Sequence, residues 1–154
     1  MTQTDKPPVR FQRGNFVVRD LDRALSFYRD VLGFTVEFIK ASDAASYSYP
    51  VFEIPREAKL RFAVLSTEGA PRCMALTEVA GVDIGQAETP RRGAIVLDMA
   101  DIDAALDGAR KLGLQIYPEE TLHTQDGRTG REVGVVDADG NLVVLYTITA
   151  YPSE

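Results

Sequence analysis

One cysteine and one histidine in 154 residues are too few for several kinds of protein. A single cysteine cannot close an intramolecular disulfide, so no covalent framework holds this chain together. The single histidine, His123, stands beside the loop residues Gln125-Asp-Gly-Arg-Thr-Gly130. It is not on a strand expected to face a pocket. Basic residues are also in deficit: 17 Lys and Arg against 23 Asp and Glu give a formal net charge of -6 and a sequence pI near 4.8. Nucleic acid and anionic membranes both select a basic surface, so neither is expected as a partner. No apolar run approaches the roughly 20 residues of a membrane span, and no secretory apolar region follows the first residue. A cytoplasmic protein is the expectation, with residues 1–9 as a polar tail carrying the pair Pro7-Pro8.

Hydrophobic residues make up 45% of the chain, enough for one compact domain with an ordinary core. Its organisation is a repeat. A strand-like run over residues 11–18 leads to Asp20, a residue type that caps the free N–H groups of a helix start. Leu21, Ala24, Leu25, Tyr28, Val31 and Leu32 then fall on one helical face, and Gly33 suits the left-handed position after a helix. Strand character resumes over 34–40. From residue 94 the order recurs: a strand over 94–99, Asp101 as cap, an apolar stripe of Ile102, Ala105, Leu106, Ala109 and Leu112, then Gly113 and a strand over 114–117. Further strands are expected over 60–66 and 73–79 in the first half. In the second half they are expected over 132–137 and 142–148, joined by Asp137-Ala-Asp-Gly-Asn141. These spacings predict an α+β fold of two tandem βαβββ modules, residues 10–80 and 93–150, joined by a linker over 81–92, with curved sheets around a ligand cleft.

Strand alternation assigns the faces. Phe16, Val18, Met74, Leu76, Ile95, Leu97, Met99, Val143 and Leu145 should lie under the helices. Arg13, Asn15, Val17, Cys73, Ala75, Thr77, Ala94, Val96, Asp98, Leu142, Val144 and Tyr146 then point the other way. That mixed surface, with a few polar anchors among hydrocarbon, has the composition of a small-molecule site.

The segment Phe16-Val-Val-Arg-Asp-Leu-Asp-Arg-Ala-Leu-Ser-Phe-Tyr-Arg-Asp-Val-Leu-Gly-Phe34 resembles the opening βαβ signature of the vicinal-oxygen-chelate superfamily. That superfamily holds glyoxalase I, bleomycin-resistance proteins, extradiol dioxygenases and fosfomycin-resistance enzymes. Asp137-Ala-Asp-Gly-Asn-Leu-Val-Val-Leu-Tyr146 is similar to its ending, so the likeness spans about residues 11–148. In metal-using members the resemblance implies four inward ligands, which here fall on Arg13, Ala75, Ala94 and Val144. A guanidinium and three hydrocarbon side chains cannot replace the water lost by a divalent ion. Neither a metal nor any other cofactor is therefore expected. Glu78 is off parity with Ala75 and should face away.

The candidate ligand-binding set is Arg13, Asn15, Val17, Ala75, Thr77, Ala94, Val96, Asp98, Val144 and Tyr146. Arg13 offers a fork of donors for a carboxylate, phosphate or phenolate, or else pairs structurally with Asp98. The aliphatic members wall a pocket or simply fill a core. Cys73 lacks a neighbouring histidine and reads as an inert thiol. Tyr47, Tyr49 and Phe52, in the long segment 42–59, suit a lid or a dimer interface. Arg91-Arg92 reads as a solvated linker end. Two functions stay open. The first is a metal-independent binding or sequestration protein, which the bleomycin-resistance likeness implies. The second is a metal-independent isomerase, lyase or cyclase with Asp98 or Tyr146 as general acid or base. A metal-dependent glyoxalase or dioxygenase fits the residues least. A homodimer is expected from the resemblance.

Overall fold

The computed structural model describes residues 5–153; most of the tail expected over residues 1–9 lies within that range, but residues 1–4 fall outside it. The first half runs β1 (Gly14–Val18), α1 (Leu21–Tyr28), β2 (Thr35–Ala41), α2 (Ser48–Val51), β3 (Lys59–Thr67) and β4 (Ala70–Ala80). The second runs β5 (Ala94–Asp98), α3 (Ile102–Lys111), β6 (Gln115–Ile116), β7 (Glu120–His123), β8 (Thr129–Val136) and β9 (Leu142–Ala150). The sheets are ordered β1-β4-β3-β2 and β5-β9-β8-β6, with β7 paired to β8. In each, the opening strand pairs in parallel with the closing strand and the other pairings are antiparallel. The two βαβ units thus repeat as the sequence implies.

Both expected caps form. Asp20 accepts from Arg23 N at 3.0 Å and Asp101 from Ala104 N at 3.0 Å, which satisfies donors that a helix start leaves free. α1 buries Leu21, Ala24, Leu25, Phe27 and Tyr28, and α3 buries Ile102, Ala105, Leu106 and Ala109. All join one core with Met74, Leu76, Val143 and Leu145, so both helices and one face of each sheet share it. Full burial of a leucine stabilises by roughly 1.5–3 kcal/mol, and this common core is what couples the halves.

Three details depart from the sequence reading. Phe27 joins the buried stripe, whereas α1 ends at Tyr28 and Val31 and Leu32 pack from the turn beyond it. Leu112 caps α3 and is exposed. The second half also has a fifth strand, β7, because the chain after β6 continues in the same direction along β8, pairing Glu120–His123 antiparallel to residues 129–132. His123 closes that strand.

A polar clasp joins the halves at the turn after β8. Tyr28 on α1 donates to Asp137 Oδ2 at 2.8 Å, where both side chains are buried. Asn141 Nδ2 donates to the Val17 carbonyl at 3.0 Å and to Asp137 Oδ2 at 3.0 Å. Asp139 pairs with Arg19 at 3.1 Å and Arg23 at 3.3 Å. Burial and the adjacent Asp137 carboxylate push the Tyr28 phenol far up from its ordinary value, so it stays the donor. Gly140, at φ +88°, completes this turn, and a Cβ on it would collide with the linker's Ala87 Cβ.

Candidate functional site

On the face away from the helices, register places the predicted residues in adjacent pairs. Asn15 lies beside Ala75 and Val17 beside Thr77. Ala94 lies beside Leu142, Val96 beside Val144 and Asp98 beside Tyr146. Their strand neighbours Phe16, Leu76, Ile95 and Leu145 belong to the helix core, so alternation alone puts this set on the open face. Glu78 faces the other way, as expected: it accepts from Arg61 Nε at 2.8 Å and from Leu21 N at 2.6 Å. The Arg61 guanidinium holds its carboxyl below the usual carboxylate range, against a smaller opposing effect of burial.

The two halves of the face differ. On the first sheet, Ala75 and Thr77 are buried. Val17 belongs to a satellite core with Tyr49, Ile54, Ala58, Leu60 and Val79. On the second, Ala94, Val96 and Asp98 are exposed. The cause is the segment around α2, which folds over the first sheet. Tyr49 is 7% exposed and donates to the Ala58 carbonyl at 2.7 Å, with Arg56 over its ring. Tyr49 is therefore a core residue of this flap, while Tyr47 and Phe52 remain exposed on it.

Four cavities adjoin these strands. One of about 380 Å³ lies at the seam between the sheets, under the linker, and is lined by Asn15, Ala94, Leu142, Arg91 and Arg92 among others. A second of about 470 Å³ brings Val17 together with Phe52, Glu53 and Ile54. An apolar one of about 380 Å³ joins Ala94 and Val96 to Phe34, Cys73 and Met74. A groove of about 600 Å³ joins Val96 and Asp98 to Phe34, Thr67 and Asp101. Ala75, Thr77, Val144, Tyr146, Arg13, Tyr47 and Tyr49 line none of the four.

Arg13 differs from its sequence reading. β1 opens at Gly14, so Arg13 precedes the strand, is exposed and forms no ion pair with Asp98 among the described residues. Arg91 differs too, since it is half-buried and held in place. Its Nη1 donates to Tyr117 OH at 2.6 Å, its Nε to the Gly140 carbonyl at 3.3 Å, and its guanidinium lies 5.7 Å from the Tyr117 ring centre. Tyr117 gave no sequence signal, because only the tertiary fold brings it to Arg91, 26 residues away.

The positions to which the resemblance assigns a divalent ion's ligands hold hydrocarbon on Ala75, Ala94 and Val144 and a fixed cation on Arg13. Among the described residues no three His, Cys, Asp or Glu side chains converge to hold a metal ion. The donor chemistry does not fit one.

Two curved four- and five-stranded sheets, helices sharing one face and a seamed cleft on the other, define an α+β class of paired βαβ modules. Residues 10–145 match the family model of the Glyoxalase/Bleomycin resistance protein/Dioxygenase superfamily, and the chain belongs to that family. A glyoxalase family protein from Bacillus cereus aligns with TM-score 0.68 at 16% identity, covering 97% of this chain and all of that one. The trypanothione-dependent glyoxalase I of Leishmania major aligns with TM-score 0.60 at 23% identity, over 90% and 86% of the two chains. The fosfomycin resistance protein FosX of Listeria monocytogenes, solved with Mn(II), aligns with TM-score 0.57 at 15% identity, over 93% and 95%. These likenesses show the fold. No curated protein matches the sequence. No helix among the described residues is long and apolar enough to cross a membrane.

Proposed function

We propose that this chain binds a small molecule on the helix-free face of its paired sheets without a divalent metal ion. The observation that carries the reading is the donor set: Arg13, Ala75, Ala94 and Val144 stand where the family's metal users place their ligands. Around them the face carries hydrocarbon walls with polar groups at Asn15 and Asp98, each lining a cavity. Ligand capture alone, as in the bleomycin-resistance likeness, requires nothing further. A homodimer belongs to the same proposal and is checked by light scattering of the purified chain.

The placement of Asp98 beside Tyr146 favours a second reading, in which one donates and the other accepts a proton during a metal-independent isomerisation or elimination. One experiment addresses both. A metabolite library is screened by thermal shift, and each hit is incubated with the protein with and without chelator. A stabilising hit recovered unchanged supports capture, and chelator-insensitive conversion supports the second reading. Binding or turnover abolished by chelator and restored by added metal overturns the proposal.

A further inference from the structure

We infer that the seam cavity selects ligands bearing a carboxylate, held by Arg91, Arg92 and the Asn15 amide; this rests on the small-molecule reading above. The first support is the placement of charge. Although the chain carries a net charge of -6, its seam is locally basic. Seven arginines pair with carboxylates elsewhere: Arg19, Arg23, Arg29, Arg61, Arg110, Arg128 and Arg131. Of the six arginines without such a partner among the described residues, three, Arg13, Arg91 and Arg92, flank the facing starts of β1 and β5. Glu88 is the one carboxylate lining the cavity, and it pairs with neither Arg91 nor Arg92. Two guanidiniums against one carboxylate leave the cavity short of a negative charge.

The second support is preorganisation. Arg91 spends two N–H groups on Tyr117 OH and the Gly140 carbonyl, which fixes the plane of its fork and leaves other donors free. A guanidinium fixed in this way loses little freedom on binding, and its geometry matches a carboxylate's two oxygens.

The third is an unmet hydrogen bond. Thr77 donates its hydroxyl to Asn15 Oδ1 at 2.9 Å, while Asn15 Nδ2 is buried with no partner. Buried polar groups without partners are rare and costly. An acceptor on a ligand in the cavity that Asn15 lines would supply the partner this N–H lacks. Asn141 cannot substitute, because its amide is committed to Val17 and Asp137. Ala87, Ala94 and Leu142 add apolar lining, so the fitting ligand carries its carboxylate on a small apolar body.

Benzoate and its neutral isostere benzamide test this with the full-length ¹⁵N-labelled protein, read by NMR at the Asn15 side-chain amide and the Arg91 Nε–H. Benzoate is expected to give saturable shifts at both, with benzamide at least tenfold weaker. Arg91→Gln and Arg92→Gln should each weaken benzoate by about tenfold, the size of losing one charge-assisted hydrogen bond. Arg110→Gln, on α3 and paired with Asp107, should leave binding unchanged. Arg92 is exposed and makes no hydrogen bond or ion pair among the described residues, so its variant keeps the test open should Arg91→Gln fail to fold. Benzamide binding as tightly as benzoate, or benzoate binding unaffected by either substitution, overturns the carboxylate inference and leaves the small-molecule reading standing. No response at the seam to benzoate, with the metabolite library also moving no resonance on the helix-free face, overturns both.

Discussion

Tyr28→Phe removes one hydroxyl from the clasp between the halves and leaves the aromatic packing in place. The ring is fully buried and makes edge contacts with Phe27 and Phe34 at 5.1 and 6.2 Å, so phenylalanine leaves no cavity. What is lost is the 2.8 Å donation to Asp137. That carboxylate also accepts from Asp139 N, Asn141 N and Asn141 Nδ2, so one of four donors disappears. Hydrogen bonds to charged groups contribute about 1.5–3 kcal/mol, and with three donors remaining a loss of about 2 kcal/mol is expected. For a chain of this size that corresponds to a Tm lower by roughly 4–8 °C. Urea unfolding at pH 7, with a common m-value, reads the difference. The sign with pH is also fixed. A phenol whose pKa is raised in the folded state stabilises fully below the unfolded value of 10.0, and that stability is lost as pH rises above it. The gap between wild type and Tyr28→Phe should therefore narrow above pH 10 by about 1.4 kcal/mol per pH unit. A difference under about 0.5 kcal/mol at pH 7, or a gap that widens in alkali, refutes the clasp.

Three further outcomes follow from the same structure. Arg61→Met removes the group holding the Glu78 carboxyl low. The wild type's advantage should be full above the ordinary glutamate value and shrink as pH falls below it, in urea titrations from pH 7 to 3. Gly140→Ala forces a side chain into φ +88° and against Ala87, costing about 2 kcal/mol by thermal unfolding; adding Ala87→Gly should return only part of that. Val96→Trp, at a position 61% exposed on the helix-free face, should change stability by less than about 0.5 kcal/mol. It should weaken at least tenfold, by calorimetry, any library hit seated in the two cavities that Val96 lines.

Much of the fold was legible because it rests on local rules. Asp20 and Asp101 announce helix starts through their carboxylates, and both do cap. Alternation separated Phe16 and Ile95 from Asn15 and Val96 correctly because one face of each sheet is buried under a helix. The failures are tertiary. Arg13 is a boundary difference instead, since it falls inside the expected strand over 11–18 but β1 opens at Gly14. Tyr49 looked available as a lid because local sequence cannot show that residues 48–58 fold over Val17, Leu60 and Val79. Arg91 looked solvated because its partner Tyr117 lies 26 residues away, beyond a whole helix. The clasp was half visible: Asp137 and Asn141 read as turn residues, but nothing local points from them to Tyr28.

Titration of Mn²⁺ and Zn²⁺ into the chelator-stripped protein, followed by methyl NMR of Ala75, Ala94, Val96 and Val144, bears most directly on metal-free binding. These methyls should not move, and a library hit should bind with the same affinity in chelator as in added metal. Saturable, stoichiometric shifts of these four, or a ligand that binds only with the ion present, would contradict it.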